Sequence, residues 1–371
     1  MLERPWYVSL NYPLVCCAIA LASFGLIIIK SATLHAPDGS GDVAKQAAYF
    51  IAGLVAMTLV TFIDYHLWER WSWPIYITTL LMLGAVALVG HKALGAQRWI
   101  GLGPIVFQPS EPAKLLLALS LGAILSNPKR SYRRWADLLV PLAAIVPPTL
   151  LVLKQPDLGT AIIFVVMLSA MLFFALPNLW FFAAYAAGLA GAAALALASP
   201  LIKGYQRQRL LVFLHPRYDP QGAGWNLMQS KIAIGSGQLT GKGLYHGTQT
   251  QLGFVPEHAT DFIFTVVGEE LGFLGAMALL VIYAALLTSA MLVVAAARDR
   301  YGLLVSVAIV AMFVFHVLIN IGMTVGIMPI TGIPLPFISY GGSSLITCFM
   351  AVGVLLNIHL QRNKISFIEP A

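Results

Sequence analysis

Charged residues are scarce in this chain. Only 10% of its 371 residues are Asp, Glu, Lys or Arg, whereas 59% are hydrophobic. Soluble domains carry roughly 25% charged residues, so this composition excludes an ordinary soluble globular protein.

Cysteine is also rare. The three cysteines, Cys16, Cys17 and Cys348, all fall within apolar runs. Two adjacent cysteines and one distant one match neither a disulfide framework nor a metal site. We interpret them as lipid-facing or packed small residues.

Long apolar runs occur from end to end. Each has about 20 residues, which is enough to cross a bilayer. No small-residue cleavage site follows the first run, which predicts a retained span and not a signal peptide. The sequence predicts an all-α polytopic membrane protein in a single domain, 1–371, with a large extracytoplasmic loop at about 200–262 between spans seven and eight. The ten predicted spans are about 11–31, 45–63, 73–90, 108–126, 137–153, 159–176, 179–199, 263–296, 302–327 and 340–360.

The positive charges predict the orientation. With ten spans, the basic segments 127–134, 298–300 and 362–364 fall on one side, which the positive-inside rule makes cytoplasmic. Both termini are then cytoplasmic, and the spans lie in a cytoplasmic membrane. The 200–262 loop also carries cations, against this bias, and we interpret them as functional.

Four stretches are too polar or too rich in Gly and Pro for their depth, namely 95–114, 154–160, 205–270 and 328–344. All lie on the predicted outer side or enter the membrane from it. Irregular backbone at membrane depth is tolerated where protein buries it or where it lines a wet cavity. We therefore expect a cavity that opens outward.

Asp261 lies where the long loop ends and the eighth span begins. A carboxylate at this boundary is costly unless it is paired or used. One interpretation is structural, with Thr260 capping the next helix and Asp261 interacting with its dipole. Another is a catalytic group. A third is a ligand that shares a hydrated Mg²⁺ or Mn²⁺ with a substrate phosphate.

Two further polar stretches open spans. Glu111 and Lys114 are three residues apart on one helical face, which predicts an ion pair. A compatible alternative is that Lys114 or Arg98 faces an anionic lipid headgroup. Asp157 is predicted to cap the sixth span.

Residues 235–243 are rich in glycine but are not a P-loop, because Lys242 is followed by glycine. With Lys231 and Lys242 nearby, their backbone N–H groups are candidates for contact with a pyrophosphate. Glu269 and Glu270, in the eighth span, favour helix packing or a pair with a cation from another span.

Several motifs occur in a fixed order over nearly the whole chain. They are Gln108-Pro-Ser-Glu111, Tyr205-Gln-Arg-Gln-Arg209, Asp219-Pro-Gln-Gly-Ala-Gly224, Gln229-Ser-Lys-Ile-Ala-Ile-Gly-Ser-Gly237, Gly247-Thr-Gln249, Thr260-Asp-Phe-Ile-Phe264, Glu269-Glu-Leu-Gly272 and Pro334-Leu-Pro-Phe-Ile-Ser-Tyr-Gly-Gly-Ser343. Together they resemble the SEDS family of bacterial wall-building proteins, and its elongation branch more than its division branch. The family pattern commonly reads His-Thr-Asp-Phe, whereas Ala259 separates His258 from Thr260 here. A role for that histidine is therefore in question.

The resemblance implies a peptidoglycan glycosyltransferase that polymerises lipid II on the outer face of the membrane during cell elongation. The essential acid of the family maps onto Asp261, the base of an inverting single displacement. The expected substrate-binding residues are Arg98, Lys114, Arg207, Arg209, Lys231 and Lys242, and Gln108, Glu111 and Ser339 are the expected supporting residues.

The implied partners are lipid II, a class B penicillin-binding protein that cross-links the glycan, other elongation-complex proteins and the membrane, but no nucleic acid. A divalent cation, Mg²⁺ or Mn²⁺, is the one cofactor considered. The rival function is a lipid II flippase or other transporter, and a third is a structural scaffold. A flippase would place charges along a path through the bilayer, whereas the central parts of the spans hold almost none.

Overall fold

The computed structural model describes residues 10–34, 39–93, 96–102, 105–130, 132, 134–198, 209, 211–215, 219 and 222–362. The helices are α1 Tyr12–Ala32, α2 Gly39–Phe62, α3 Tyr65–Arg70, α4 Ser72–Val89, α5 Ser110–Ser126, α6 Trp135–Lys154, α7 Leu158–Ala175, α8 Leu179–Ala198, α9 Ala223–Ser236, α10 Thr248–Gln251, α11 Ile263–Ala296, α12 Arg300–Val325 and α13 Gly342–Gln361.

The apolar runs form the long helices. Each of the ten predicted spans coincides with one helix, and within the described ranges seven helices are long and apolar enough to cross a membrane. Large apolar side chains on their outer faces, such as Leu81, Ile51 and Val281, are more than 60% exposed. Lipid can cover such faces without free-energy cost, so the chain is a multi-pass membrane protein. The count of ten spans stays a prediction.

The helix α12 lies at the centre of the bundle. In its most apolar stretch of 18 residues, 72% of the residues are buried. The helix packs against α5, α7, α9, α11 and α13. Side chains that must hold a fixed position have the most support on this helix, because close-packed neighbours leave few alternative rotamers.

Most of the irregular structure lies at one end of the bundle, which we call the cavity end. It contains the start of α2, α5, α7, α11 and α13, and the segments 252–262 and 328–341. A three-stranded antiparallel sheet lies between α4 and α5, formed by His91–Ala93, Ala96–Leu102 and Ile105–Phe107. The described part of the predicted loop at 200–262 contains two helices, α9 and α10.

The helix α11 is broken at Gly272. At 34 residues an unbroken helix would be about 51 Å long, well beyond a hydrocarbon core of about 30 Å. Gly272 takes φ 64° and ψ −160°, a conformation open to glycine but strongly disfavoured for other residues.

The glycine-rich segment 237–243 binds the backbone groups that this break exposes. Lys242 N donates to Glu269 O at 3.1 Å and Gly243 N to Glu270 O at 2.9 Å. In the other direction, Phe273 N donates to the carbonyl oxygen of Gln238 at 2.9 Å. The N–H groups of Lys242 and Gly243 thus donate to carbonyl groups at the helix break. Contact of this backbone with a pyrophosphate stays a prediction.

Glu269 anchors the same loop through its side chain. Its carboxylate is fully buried and accepts from Lys242 Nζ at 2.8 Å, Gln249 N at 2.8 Å and Thr250 N at 3.0 Å. The hydroxyl groups of Thr248 and Thr250 also donate to it. The predicted pair with a cation exists, but the cation comes from the loop and not from another span.

Candidate active site at the cavity end

A cavity of about 850 Å³ opens at the cavity end. It lies between the first turns of α5, α7 and α13, the strand that carries Arg98, and the two segments that contain Asp261 and Gly332. Its charged lining residues, among those described, are Lys45, Arg98, Glu111, Lys114, Asp157, Arg209, Glu257 and Asp261. The cavity expected from the polar stretches is therefore present at the end where those stretches meet.

The backbone just before Asp261 is held by the segment that leads into α13. Tyr340 N donates to Ala259 O at 2.9 Å, and Ser339 Oγ donates to Thr260 O at 2.6 Å. Ser339 Oγ is itself oriented, because it accepts from Leu335 N at 2.8 Å. Ser339 thus lies where a supporting residue would act.

The next carbonyl oxygen, that of Asp261, is held from α12. Asn320 Nδ2 donates to Asp261 O at 2.8 Å and to Ile333 O at 2.7 Å. The side chain of Asn320 is fully buried. The carbonyl groups of residues 259, 260 and 261 thus each accept from a donor elsewhere in the chain. The backbone that carries the Asp261 side chain is therefore held in place.

The predicted helix cap at Thr260 was wrong. The N-cap of α11 is Phe262, which makes no side-chain capping bond. Thr260 Oγ1 instead donates to Glu257 Oε2 at 3.0 Å. Asp261 therefore precedes the helix, and the structural interpretation of its carboxylate as a first-turn acid loses its geometric basis.

The Asp261 side chain is partly buried and lines the cavity. Burial raises the pKa of its carboxyl group to about 6, and the negative charge of Glu257 adds to the rise. The guanidinium groups of Arg209 and Arg98 lower this pKa, but they do not cancel the effect of burial. A carboxylate with a pKa near neutrality is suited to accept and release a proton.

Arg98 lies beside the start of α7. Its guanidinium group donates to Gln155 O at 3.2 Å and to Pro156 O, and it lies 4.0 Å from Asp157 Oδ1. Asp157 is the N-cap of α7 and accepts from Thr160 N at 3.2 Å, as predicted. Arg98 is thus positioned by backbone carbonyls at the cavity wall.

Glu111 and Lys114 form the predicted ion pair. Lys114 Nζ lies 2.9 Å from both carboxylate oxygens of Glu111, and both residues are at most 3% exposed. The other partner of Lys114 is His316 Nε2, at 3.0 Å. Since His316 Nδ1 lies 2.7 Å from Met312 O, Nδ1 carries the proton and Nε2 accepts from lysine. The ammonium group is therefore held by two partners within the protein, the Glu111 carboxylate and the His316 ring.

Sequence reasoning missed His316 and Lys45. A lone histidine inside the apolar run 302–327 is a signal in itself, because ionisable groups are rare in spans. Lys45, at the start of α2, lies 3.4 Å from Asp42 and lines the cavity. No pattern in the sequence links it to Asp261, about 200 residues away.

Gln108 lines the cavity as a predicted supporting residue. Its backbone N donates to Ser343 Oγ at 3.0 Å and its side chain to Ser110 Oγ at 3.0 Å. These bonds join the start of α5 to the start of α13. Both helices thus present their N-termini to one cavity, which favours negatively charged ligands there.

Two of the predicted substrate-binding cations lie away from the cavity lining. Lys242 pairs with Glu269. The side chain of Lys231 runs along Gly326, the C-cap of α12, where a positive charge is favoured by the helix dipole. Arg209 does line the cavity, whereas Arg207 lies outside the described residues.

Asp261 is a candidate metal ligand. In the part of the chain that the structure describes, no group of three or more His, Cys, Asp or Glu side chains is arranged to hold a metal ion. A dedicated protein cage is therefore missing from the described ranges. A hydrated cation that needs only one or two protein carboxylates still fits Asp261, one of the four acids that line the cavity.

Comparison with known proteins agrees with this architecture. The family model FtsW/RodA/SpoVE, described as "Cell cycle protein", matches residues 12–364. The peptidoglycan glycosyltransferase MrdB of Escherichia coli (strain K12) is 38% identical over 362 residues, which cover 97% of this chain and 96% of MrdB.

Two solved structures are similar over the whole chain. One, from work on the structural coordination of polymerization and crosslinking by a peptidoglycan synthase complex, has a TM-score of 0.81 and 31% identity and covers 98% of this chain and 100% of that chain. The other is the rod shape determining protein RodA of Thermus thermophilus, with a TM-score of 0.73, 29% identity and coverage of 97% and 100%. The chain therefore belongs to the FtsW/RodA/SpoVE family, the SEDS family that its motifs resemble.

Proposed function

We propose that this protein is a peptidoglycan glycosyltransferase that polymerises lipid II during cell elongation, with Asp261 as the general base. The observation that carries the proposal is a single carboxylate with a raised pKa at a cavity lined by Arg98 and Arg209. The names of relatives such as MrdB support the reaction type. RodA among the structural neighbours supports the elongation branch.

The reaction is a single displacement at the anomeric carbon. The acceptor hydroxyl oxygen forms a bond to that carbon while the carbon–oxygen bond to the pyrophosphate breaks, and the pyrophosphate leaves with the bonding electrons. The acceptor proton passes to the Asp261 carboxylate. An α-linked donor then gives a β-linked product, without a covalent intermediate.

The leaving pyrophosphate needs positive charge held in place. Arg98, Arg209 and Lys45 line the cavity, and Arg98 is fixed by two backbone carbonyls. Preorganised charges of this kind stabilise a developing anion without reorganisation. Lys114 is only 2% exposed and is already bound to Glu111 and His316, so we assign to it and Glu111 the role of a buried brace in the cavity wall.

A divalent cation would act beside Asp261. Mg²⁺ and Mn²⁺ sites often use one or two carboxylates together with substrate phosphates, and such an ion would add countercharge for the leaving group. Polymerisation that stops in EDTA and returns with Mg²⁺ or Mn²⁺ supports this role, whereas an unchanged rate in EDTA rules it out.

We place the cavity end outside the cytoplasmic membrane, with both termini inside. The charged lining residues come from one end of the bundle, which fits a reaction at one membrane face. A flippase would need charged groups at both faces and along the path between them. Cysteines introduced at position 239, in the outer loop, and at position 129 should label with an impermeant reagent only at 239 in intact cells.

The decisive experiment uses purified full-length protein, fluorescent lipid II and a gel that resolves glycan chains, with and without a class B penicillin-binding protein. Wild type should form polymer and Asp261→Asn should form none. Asp137→Asn is a matched control, because it removes a carboxylate from α6, at the end opposite the cavity. Polymer from Asp261→Asn at the wild-type rate refutes the assignment of the base.

A further inference from the structure

We infer that Asn320 is a positioning residue for Asp261. The inference rests on the proposed function, because it concerns the placement of the proposed base. Asn320 lies near the cavity end of α12 and is absent from the cavity lining. It therefore acts on the reaction only through the groups that it holds.

Both amide protons of Asn320 are used. Nδ2 donates to Asp261 O at 2.8 Å and to Ile333 O at 2.7 Å, while the buried Oδ1 has no hydrogen-bond partner among the described residues. A buried acceptor without a partner costs free energy. The Asn320 amide is thus oriented so that its two N–H donors reach the two carbonyl oxygens. A side chain with one donor cannot make both bonds.

The two carbonyls that Asn320 joins belong to two different segments that line the site. One is that of Asp261 itself. The other follows Gly332, which has φ +73° and approaches so closely that a Cβ there would lie 3.0 Å from Asp261 Oδ2. One side chain thereby fixes the base and the wall against which its carboxylate lies.

No backbone N–H group of α11 donates to the Asp261 carbonyl oxygen. The first bond of that helix runs from Thr265 N to Phe262 O, at 2.9 Å, so Asp261 lies just outside the helical ladder. The helix α12 supplies the missing constraint. One turn earlier on the same helix, His316 Nε2 lies 3.0 Å from Lys114 Nζ. The same helix therefore positions both the Glu111–Lys114 pair and the proposed base.

The test compares two buried amides in one protein. In Asn320→Leu and Asn320→Asp the two donated bonds are lost. The control is Asn357→Leu on α13: its Nδ2 donates to Thr61 O at 2.7 Å, and its Oδ1 accepts from Tyr65 N at 3.0 Å, at the end away from the cavity. Steady-state kinetics with lipid II are measured on monodisperse protein with the folded fraction quantified.

We expect kcat to fall on the order of 10²-fold in both Asn320 variants, since a misplacement of about 1 Å costs that much. KM for lipid II should stay within about twofold of wild type, because the lining residues are intact. Asn357→Leu should lower thermal stability but leave kcat per folded molecule unchanged. If Asn320→Leu does not fold, Asn320→Ser, which keeps one donor, is interpreted in the same way.

The outcomes separate the two proposals. Loss of kcat in Asn320→Leu with KM retained, beside an inactive Asp261→Asn, supports both. Wild-type kcat in folded Asn320 variants, beside an inactive Asp261→Asn, overturns the positioning role and leaves the base. A parallel rise in KM, or a loss shared with Asn357→Leu, also overturns it, because a purely structural role predicts that. An active Asp261→Asn overturns both.

Discussion

Gly332 lies so close to Asp261 that a side chain at residue 332 would crowd the carboxylate. A Cβ at position 332 would lie 3.0 Å from Asp261 Oδ2, and the backbone there has φ +73°. The position of the Asp261 carboxylate thus depends on residue 332 being a glycine.

The first prediction tests this contact. Gly332→Ala should reduce polymerisation by at least about tenfold, since the strained backbone and the crowded carboxylate both displace Asp261. Gly188→Ala is the matched control: it lies in α8, and a Cβ there meets nothing within 4 Å. Equal polymerisation by the two variants in the lipid II gel assay would contradict the prediction.

The second prediction concerns pH. The pKa of Asp261 is raised from 3.8 to about 6, and a base must be ionised to act. Activity should therefore be full well above pH 6 and should fall about tenfold per pH unit below it. The stability trend has the opposite sign. A folded-state pKa above the unfolded value stabilises the protein at low pH, and this contribution is lost as pH rises through about 6.

Two curves check that prediction. The rate of polymerisation against pH should show an acid limb near pH 6 in the wild type. The melting temperature against pH should lose its slope near pH 6 in Asp261→Asn. An acid limb near pH 4 would show that Asp261 is not buried as described.

The third prediction concerns the Glu111–Lys114 pair. Glu111→Gln and Lys114→Met each leave one uncompensated charge in a dry site, so each should cost about 3–5 kcal/mol of stability. The double variant should cost less than either single one. Thermal unfolding in detergent measures all three, and single variants as stable as wild type would show that water reaches the pair.

The fourth prediction concerns the outer loop. Glu269→Gln removes the charge that binds Lys242 and weakens the acceptor for the amides of residues 249 and 250. We expect faster proteolytic cleavage within 237–251 and a lower melting temperature. Lys242→Gln should have a smaller effect on both, because its side chain is 26% exposed and partly exposed pairs contribute little.

The fifth prediction concerns the class B penicillin-binding protein that we propose as partner. We expect its contact on the 262–327 region, which adjoins Asp261. Val281 on α11 is 63% exposed to the membrane, and a photo-crosslinking residue there should capture the transpeptidase. The same residue at position 195 on α8 should not. Capture at neither position, together with full activity in its absence, would refute the partnership.

Local patterns account for what the sequence could predict. Apolar runs located the long helices, and a spacing of three residues located the buried pair of Glu111 and Lys114. The motif before α7 was also enough to identify Asp157 as a cap. In each case the interacting groups lie within one or two helical turns of each other.

Contacts between distant segments account for what was missed. Lys231 was expected at the substrate, but it lies at Gly326, almost 100 residues further along the chain. The contact of the glycine-rich segment with the broken helix α11 was missed, because that partner could not be seen in the sequence. Asn320 shows no local signal at all, since its partners lie 59 and 13 residues away.

The break at Gly272 divides α11 into two helical segments. The segment beyond the break is a long apolar helix that packs within the bundle. The nine residues before it, 263–271, form a short helix whose last carbonyl groups, those of Glu269 and Glu270, accept from Lys242 N and Gly243 N of the loop. A displacement of the loop therefore acts directly on a helical segment that begins two residues after Asp261, and the longer part of α11 beyond Gly272 need not move with it.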